Sequence, residues 1–193
     1  MSFQIEITKS INFLKRGKIL LYPTDTVWGL GCDAFNINAI NKIYKIKKRN
    51  SFKPMIFLVE SINRLQNLVG KLSDFTKQII LENYKKKPIT IIYQFKKNYK
   101  NKTLYKLSYN KTLAVRLTYD IFCSNLIKKL NKPIISTSAN ISGCITPKSF
   151  SEIDPQILKN VDYIVNFRRK EKSVYDSSKI IKINSNKIKI LRF

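Results

Sequence analysis

Residues 22–34 carry the sequence YPTDTVWGLGCDA, and the predictions for the rest of the chain are organised around them. An apolar run at residues 18–21 predicts a buried strand that leads into this stretch. A proline, two threonines, an aspartate and two glycines then follow in quick succession, a composition that favours tight turns with exposed N–H groups and hydroxyls. We therefore predict that residues 22–34 form a ligand-binding loop in which Gly29 and Gly31 are turn-forming residues.

Two further polar turns follow predicted core elements. The cationic turn Lys47-Lys48-Arg49, with Lys53 shortly after it, ends a helix predicted at residues 37–48. The turn at residues 136–140, STSAN, follows a strand predicted at residues 133–137. Ligands of α/β sheets usually bind in loops at the carboxyl ends of strands, and cations, hydroxyls and exposed amides suit a polyphosphate. The three turns together indicate a site for an anionic ligand.

The other elements follow from periodicity and capping residues. Asn36 is a suitable N-cap for the helix at 37–48, and its spacing places Lys47 on the inward face. Further helices are predicted at 5–14, 62–69, 75–84, from Asp120 to about 131, and from 151 or 154 to 160. Further strands are predicted at 55–59, 89–95, 112–117, 161–166, 180–184 and 187–191, and a hairpin or excursion at 96–111. Helices and strands mix without strict alternation, which predicts one α/β (α+β) domain over residues 1–193 with a twisted mixed sheet.

The residue inventory excludes several kinds of chemistry. The 193 residues suit one domain with a substantial core, and they contain no histidine. Ser-His-Asp triads, Cys-His dyads and histidine-containing zinc sites are therefore excluded. Three cysteines without CxxC spacing indicate no metal-ligating motif. The sequence has no apolar run long enough to span a membrane and no signal-like N-terminus, so we expect a cytoplasmic protein.

The net charge of +25 has two explanations that the sequence leaves open. It is typical of a nucleic-acid-binding protein. However, lysine outnumbers arginine, and lysine, asparagine and isoleucine dominate the composition. All three have A/T-rich codons, so mutational bias could produce much of the basicity. The arginines run against such a bias and are the first cations to consider.

Several motifs together resemble one family. YPTDTVWGLGCDA, a helix into IKKR, KPMIFLV, TLAVR, STSANISG and a closing ILRF follow one another along the chain. In order and spacing they resemble the YrdC-like family, the threonylcarbamoyl-AMP synthases, and the length resembles the single-domain bacterial form. The resemblance implies a twisted mixed sheet surrounded by helices around a deep basic cleft.

The family's reaction is implied by the same resemblance. ATP, L-threonine and bicarbonate or CO₂ would give threonylcarbamoyl-AMP and pyrophosphate. A downstream threonylcarbamoyl-transferase complex would then modify the adenosine beside the anticodon of tRNA. Mg²⁺ would accompany ATP and be held mainly by the phosphates, since the sequence offers no convincing carboxylate pair for a metal cage.

The resemblance also implies roles for individual residues. The catalytic tetrad of the family corresponds to Lys47, Arg49, Ser138 and Asn140. Threonine contacts are implied for Thr26, Arg116, Ser138 and Ser178. ATP contacts are implied for Arg49, Lys53, Thr112, Ser136, Thr146 and Arg192.

Some positions depart from the family pattern, and two other functions stay open. Leu58 stands where some members have a histidine near threonine, residues 177–179 read Ser-Ser-Lys instead of Pro-Ser-Thr, and Lys182 replaces an aspartate. A non-catalytic module that binds double-stranded RNA or tRNA is one alternative, favoured by the charge. A carbamoyl-transfer domain of the hydrogenase-maturation type is the other, although such domains occur within much longer chains.

Overall fold

A mixed sheet of nine strands organises the part of the chain that the structure describes. The structure is a computed structural model, and it describes residues 2–50, 55–83, 86–94, 108, 111–173, 177–184 and 187–192. The predicted hairpin or excursion at 96–111 lies almost entirely outside the described residues.

Helices and strands alternate irregularly along the chain. The helices are α1 (Phe3–Lys15), α2 (Ile37–Ile46), α3 (Ile62–Val69), α4 (Asp74–Asn83), α5 (Ile121–Leu130) and α6 (Pro155–Asn160), with a 3₁₀ turn at Phe150–Glu152. The strands are β1 (Leu20–Tyr22), β2 (Gly29–Asp33), β3 (Ile56–Val59), β4 (Ile89–Gln94), β5 (Thr112–Leu117), β6 (Ile134–Ser138), β7 (Tyr163–Ile164), β8 (Lys179–Asn184) and β9 (Lys187–Arg192).

The spatial order of the strands differs from their order in the chain. Across the sheet it is β7-β1-β2-β6-β3-β5-β4-β8-β9. The pairs β1/β7, β3/β5 and β4/β8 are parallel, and the other neighbours are antiparallel. The predicted α/β class with a mixed sheet is thus confirmed.

The register of the strands separates two faces. Gly29 pairs with Ser138, Gly31 with Ser136, and Leu58 with Arg116. Because paired residues point to the same side of a sheet, these small, polar and charged positions share one face with Tyr22. The opposite face carries the larger hydrophobic core, which includes Leu30, Ile135, Phe57, Val115 and Ile91.

A second hydrophobic cluster covers only part of the polar face. Helices α1 and α5 pack there, and Ile7, Leu14, Phe122 and Leu126 contact buried side chains of the sheet. Leu58 belongs to this cluster and is fully buried. The remaining part of that face holds the polar strand positions.

The capping predictions are confirmed. The Asn36 side chain accepts a hydrogen bond from the Ala39 N–H and begins α2. Asp120 does the same for α5 through the Cys123 N–H. Gly17, just after α1, has φ +68°.

Among the described residues, no helix combines the length and apolar character that a membrane crossing requires.

The prediction of a continuous loop at residues 22–34 is wrong. Residues 29–33 form β2, a strand buried at every position between β1 and β6. Gly29 and Gly31 are therefore strand residues and not turn-forming residues, and neither has positive φ. The turn is confined to the threonine-rich segment before Gly29.

Candidate functional site

A pocket at the polar face of the sheet gathers most of the predicted site residues. Those in its lining are Thr26, Arg49, Arg116, Ser136, Ser138, Ser178 and Arg192. The other lining residues have no contact predicted from the sequence. They include Thr24, Thr137 and Ser177 as polar members and Val27, Met55, Ile56 and Ile180 as apolar members. The pocket therefore combines arginines, hydroxyls and a small apolar surface.

Gly29 lies in the lining of this pocket, and Gly31 follows two residues later on the same face of β2. A Cβ on Gly29 would lie 3.3 Å from both Ser136 Oγ and Thr24 Cγ2. At Gly31 the ring of Tyr22 takes the space, since a Cβ there would lie 2.7 Å from Tyr22 Cε1. The buried Tyr22 hydroxyl donates to Ser136 Oγ at 2.8 Å and so orients a lining residue from below. Burial raises the pKa of Tyr22, which keeps this phenol a proton donor.

The threonine-rich turn forms one wall. Thr24 Oγ1 donates to the Val27 carbonyl at 2.8 Å and accepts from the Thr26 N–H at 3.0 Å, which closes the turn locally. The Thr26 hydroxyl accepts a hydrogen bond of 3.0 Å from Nη1 of Arg116, on β5. The turn and the central strand are thereby fixed relative to each other.

Asp25 holds the other side of the same guanidinium. Its Oδ1 lies 2.8 Å from Arg116 Nη2, and both side chains are buried, with 1% and 5% exposed. Burial raises the pKa of Asp25 although the Arg116 charge opposes the shift. Arg116 Nε, buried in the same place, has no hydrogen-bond partner within the described part of the chain.

Arg49 and Arg192 approach the pocket from two other elements. Arg49 follows α2, and Arg192 ends β9, where its Nη2 donates to the Ser178 carbonyl at 2.8 Å. Desolvation lowers the pKa of both guanidinium groups, and the nearby charges of Arg116 and Arg49 lower that of Arg192 further. Arginines that repel one another in this way favour the binding of an anion between them.

Lys47 is directed at a loop of the site. Its ammonium group donates to the Ser138 carbonyl at 2.5 Å, to the Asn140 carbonyl at 2.6 Å and to Asn140 Oδ1 at 3.2 Å. The residue is 1% exposed, which confirms the inward face predicted for it. Burial and the charge of Arg49 lower the pKa of Lys47 to about 7. Lys47 thus connects the end of α2 to the loop that follows β6.

The side chain of Asn140 is also used within its loop. Its Oδ1 accepts from Ser138 Oγ at 2.6 Å, and its Nδ2 donates to the Cys144 carbonyl at 2.7 Å. Ser142 N–H donates to the Lys47 carbonyl at 2.8 Å. These bonds fix the Ser138 hydroxyl at the edge of the pocket.

Ser178 is positioned by a strand below it. Its hydroxyl lies 2.7 Å from Thr90 Oγ1, and both residues are buried. Because β4 and β8 are parallel neighbours, this bond ties the segment before β8 to β4.

Four predicted residues lie outside the pocket lining, and one cannot be placed. Lys47 and Asn140 support the lining as described above. Thr112 begins β5, four residues before Arg116, and Thr146 lies in the loop after Ser142. Lys53 lies outside the described residues. For these positions the implied contacts stay predictions.

The acidic groups of the described residues do not form a metal cage. No group of three or more histidine, cysteine, aspartate or glutamate side chains with suitable spacing occurs among them. Asp25, which lies between the lining residues Thr24 and Thr26, faces Arg116.

Comparison with known proteins defines the class to which this fold and site belong. Residues 12–193 match the model of the Sua5/YciO/YrdC family, whose description is "telomere recombination". Since this match covers most of the chain, the chain belongs to that family, as its motifs predicted.

Two individual relatives within this family are named threonylcarbamoyl-AMP synthases. A putative threonylcarbamoyl-AMP synthase of Methanocaldococcus jannaschii is 32% identical over 192 residues, covering 97% of this chain and 86% of that protein. The threonylcarbamoyl-AMP synthase of Pseudoalteromonas translucida is 32% identical over 168 residues, covering 86% and 88%.

Solved structures support the fold. The Sua5 protein of P. abyssi in complex with L-threonine superimposes with a TM-score of 0.82 at 23% identity, over 100% of this chain and 54% of that one. This chain thus spans about half the length of that Sua5 protein. A structure of HypF, bound to phosphate and nucleotide, matches with a TM-score of 0.80 at 22% identity, but only 28% of that chain is covered.

Proposed function

We propose that this protein is an L-threonylcarbamoyladenylate synthase, an enzyme of the nucleotidyltransferase type. It condenses ATP, L-threonine and bicarbonate or CO₂ into threonylcarbamoyl-AMP and pyrophosphate. The observation that carries the proposal is the convergence of Arg49, Arg116 and Arg192 with several hydroxyls in one pocket. The names of the curated relatives support the same activity.

The reaction brings together several anions. The amine of threonine attacks CO₂, loses a proton and becomes a carbamate. A carbamate oxygen then attacks the α-phosphorus of ATP, and the bond from that phosphorus to the β-phosphate oxygen breaks to release pyrophosphate. A carboxylate, a carbamate and a triphosphate must therefore lie close together, and positioned cations are needed to offset their repulsion.

Each side of the pocket suits one substrate. On the Thr26 side, Arg116 offers a planar guanidinium for the amino-acid carboxylate, and Thr26 and Ser178 offer hydroxyls to that of threonine. On the other side, Arg49, Arg192, Ser136 and Ser138 surround the place proposed for the nucleotide phosphates. A site that hydrogen-bonds the threonine hydroxyl discriminates against valine more strongly than a purely apolar pocket would.

Mg²⁺ fits this proposal as a companion of ATP. Arginines and hydroxyls dominate the described lining, so the ion would be held chiefly by phosphate oxygens and would help to neutralise their charge. The residues of the chain then orient the substrates and stabilise charge, and no tuned general base is required once the amine is presented neutral.

The proposed activity also implies a place of action in the cell and a fate for the product. We propose that the protein acts in the cytoplasm and that its product passes to a downstream threonylcarbamoyl-transferase complex, which modifies tRNA next to the anticodon. Contact with tRNA or double-stranded RNA would draw on the net charge of +25.

One assay tests the activity. The full-length protein is incubated with ATP, Mg²⁺ and bicarbonate, and pyrophosphate release is measured with and without L-threonine, with mass spectrometry to detect threonylcarbamoyl-AMP. We expect release that depends on threonine and bicarbonate together. No release at all would favour the non-catalytic RNA-binding alternative, and release that does not depend on threonine would contradict the proposed reaction.

Arg49→Ala tests the site itself. Loss of a positioned cation typically costs a hundredfold or more in rate, about 3 kcal/mol of transition-state stabilisation. We expect such a loss with an unchanged circular dichroism spectrum. Arg16→Ala is the matched control, since Arg16 is exposed just after α1. Normal turnover by Arg49→Ala would contradict the assignment of the pocket.

A further inference from the structure

Arg116 is connected to a second arginine through a buried acidic path. Arg116 lies near the end of β5, and Thr118 follows directly after the strand. Asp120 comes two residues later as the N-cap of α5. Asp25, from the threonine-rich turn, reaches the same region. The path runs through Arg116, Asp25, Thr118, Asp120 and Arg168.

Every step of the path is a direct contact. Arg116 Nη2 lies 2.8 Å from Asp25 Oδ1. Asp25 Oδ2 accepts from Thr118 Oγ1 at 3.3 Å, and Thr118 Oγ1 accepts from the Asp120 N–H at 3.2 Å. Asp120 Oδ2 accepts a short hydrogen bond from Arg168 Nη1.

The charges of the two buried carboxylates link Arg116 to Arg168 electrostatically. The side chains of Asp25 and Asp120 are 1% and 5% exposed, and the charge of Asp120 contributes to raising the pKa of Asp25. Two buried carboxylates that repel each other each need a cation, and Arg116 and Arg168 supply one each. If Arg168 is removed, Asp120 stays uncompensated beside Asp25, and Asp25 binds Arg116 less firmly.

The backbone of Arg168 adopts a strained conformation, which indicates that the position of its side chain is maintained at a cost in conformational energy. Arg168 has φ +57°, in the left-handed region that a residue with a Cβ adopts only with strain. Glycine would occupy this conformation freely. The segment also borders a second cavity of about 170 Å³ behind the threonine-rich turn, lined in part by Thr24, Thr26 and Arg168.

We propose that Asp25 and Arg168 are positioning residues that hold the guanidinium of Arg116 in the orientation that binds the substrate carboxylate. Asp25 acts by direct contact and Arg168 acts through Asp120. That Arg116 binds the substrate carboxylate rests on the proposed function. That Asp25 and Arg168 position Arg116 does not depend on it.

Three variants separate positioning from mere folding. Asp25→Asn keeps the shape and removes the charge. Arg168→Gly removes the guanidinium and relieves the backbone strain, which favours a folded variant, whereas Arg168→Lys keeps the charge. Arg169→Ala is the matched control, because Arg169 lies in the same segment but donates to the Ile164 and Val165 carbonyls and not to Asp120.

The first measurement is the NMR spectrum of the arginine side chains, with the Arg116 signals assigned by their loss in Arg116→Lys. A held guanidinium rotates slowly and shows separate Nη signals. We expect these signals to broaden or merge in Asp25→Asn and Arg168→Gly, and to persist in Arg169→Ala and largely in Arg168→Lys. Unchanged signals in both Asp25→Asn and Arg168→Gly would overturn the proposal.

The second measurement is steady-state kinetics of pyrophosphate release. We expect the KM for threonine to rise about tenfold in Asp25→Asn and Arg168→Gly, while the KM for ATP changes less than twofold. Equal losses for both substrates, or the same threonine effect in Arg169→Ala, would indicate a structural role and overturn the inference. Wild-type protein with held Arg116 signals but no threonine-dependent release would reject the proposed function and leave the positioning of Arg116 intact.

Discussion

Replacing Gly31 by alanine tests how tightly Tyr22 packs against β2. An added Cβ would lie 2.5 Å from the Ile135 carbonyl oxygen, and 2.7 Å and 2.9 Å from Cε1 and the hydroxyl of Tyr22. The carbonyl belongs to β6, paired directly with β2, and cannot move without disturbing the sheet. The contact with the carbonyl oxygen must therefore be relieved by a local change in the β2/β6 pairing, and the tyrosine ring must shift as well, which strains its hydrogen bond to Ser136.

The expected loss of stability follows from three contributions. Overpacking of a close-packed core typically costs about 1–3 kcal/mol. A buried hydroxyl that loses its partner costs about 1–3 kcal/mol more. Removing a glycine from a strand returns roughly 0.5–1 kcal/mol. We expect the free energy of unfolding to fall by about 3 kcal/mol, which for a chain of this length lowers Tm by roughly 6–12 °C.

Urea denaturation followed by the fluorescence of the single tryptophan, Trp28, measures this loss. Gly29→Ala is the matched control, because its Cβ would lie 3.3 Å from two side-chain atoms, which can adjust, and 3.5 Å from the Thr137 carbonyl oxygen, an ordinary contact distance. We expect that variant to lose less than about 1 kcal/mol and to affect substrate affinity more than stability. A loss below about 0.5 kcal/mol in Gly31→Ala, or an equal loss in both variants, would refute the packing described for Tyr22.

Three other predictions concern the supports of the site. The pKa of Lys47 is lowered to about 7, so the unfolded chain binds more protons than the folded chain between pH 7 and about 10.5. The free energy of unfolding should therefore rise with pH across this window, by up to about 1.4 kcal/mol per pH unit. Lys47→Met should lack this contribution, as denaturation at pH 7 and pH 9 would show. Thr90→Val should cost about 1–3 kcal/mol in thermal or urea unfolding because the buried Ser178 hydroxyl loses its partner, whereas Thr90→Ser should be nearly neutral. Asn36→Ala should cost about 1 kcal/mol through loss of the α2 cap, and Asn36→Asp much less, by the same measurement.

Local chemistry made much of this fold predictable. The caps at Asn36 and Asp120 and the inward face of Lys47 depend on residues close together in the chain, and all were placed correctly. The motifs of the resemblance also identified most of the arginines and hydroxyls that line the pocket.

The strand β2 could not be recognised from its own residues. Gly29 and Gly31 occupy one face of it and have no side chains, so the alternation that marks a strand is missing. Their conformation is imposed by pairing with β1, the strand just before β2, and with β6, which comes from a distant part of the sequence. Where a sheet must leave space for a ligand, the residues that create the space lose the pattern that predicts the sheet.

The partner of Arg116 was missed for a similar reason. Asp25 was assigned no contact, because nothing in the sequence connects the threonine-rich turn to β5. In the folded sheet β2, β6 and β3 lie between β1 and β5, yet the turn after β1 reaches across to Arg116, and no single segment's propensity encodes that arrangement. The sequence assigned no partner to Arg168, because its link to Asp120 depends on the same kind of long-range arrangement.

The strand order also has a consequence for how the protein folds. Gly29 pairs with Ser138, Leu58 with Arg116, and Ile89 with Lys179, so long loops must close before the complete pocket exists. Closing such loops costs entropy and slows folding. Helices such as α1 and α5 can form early, whereas the pocket appears only with the final cooperative assembly of the sheet. During refolding, substrate binding should therefore recover later than helical circular dichroism.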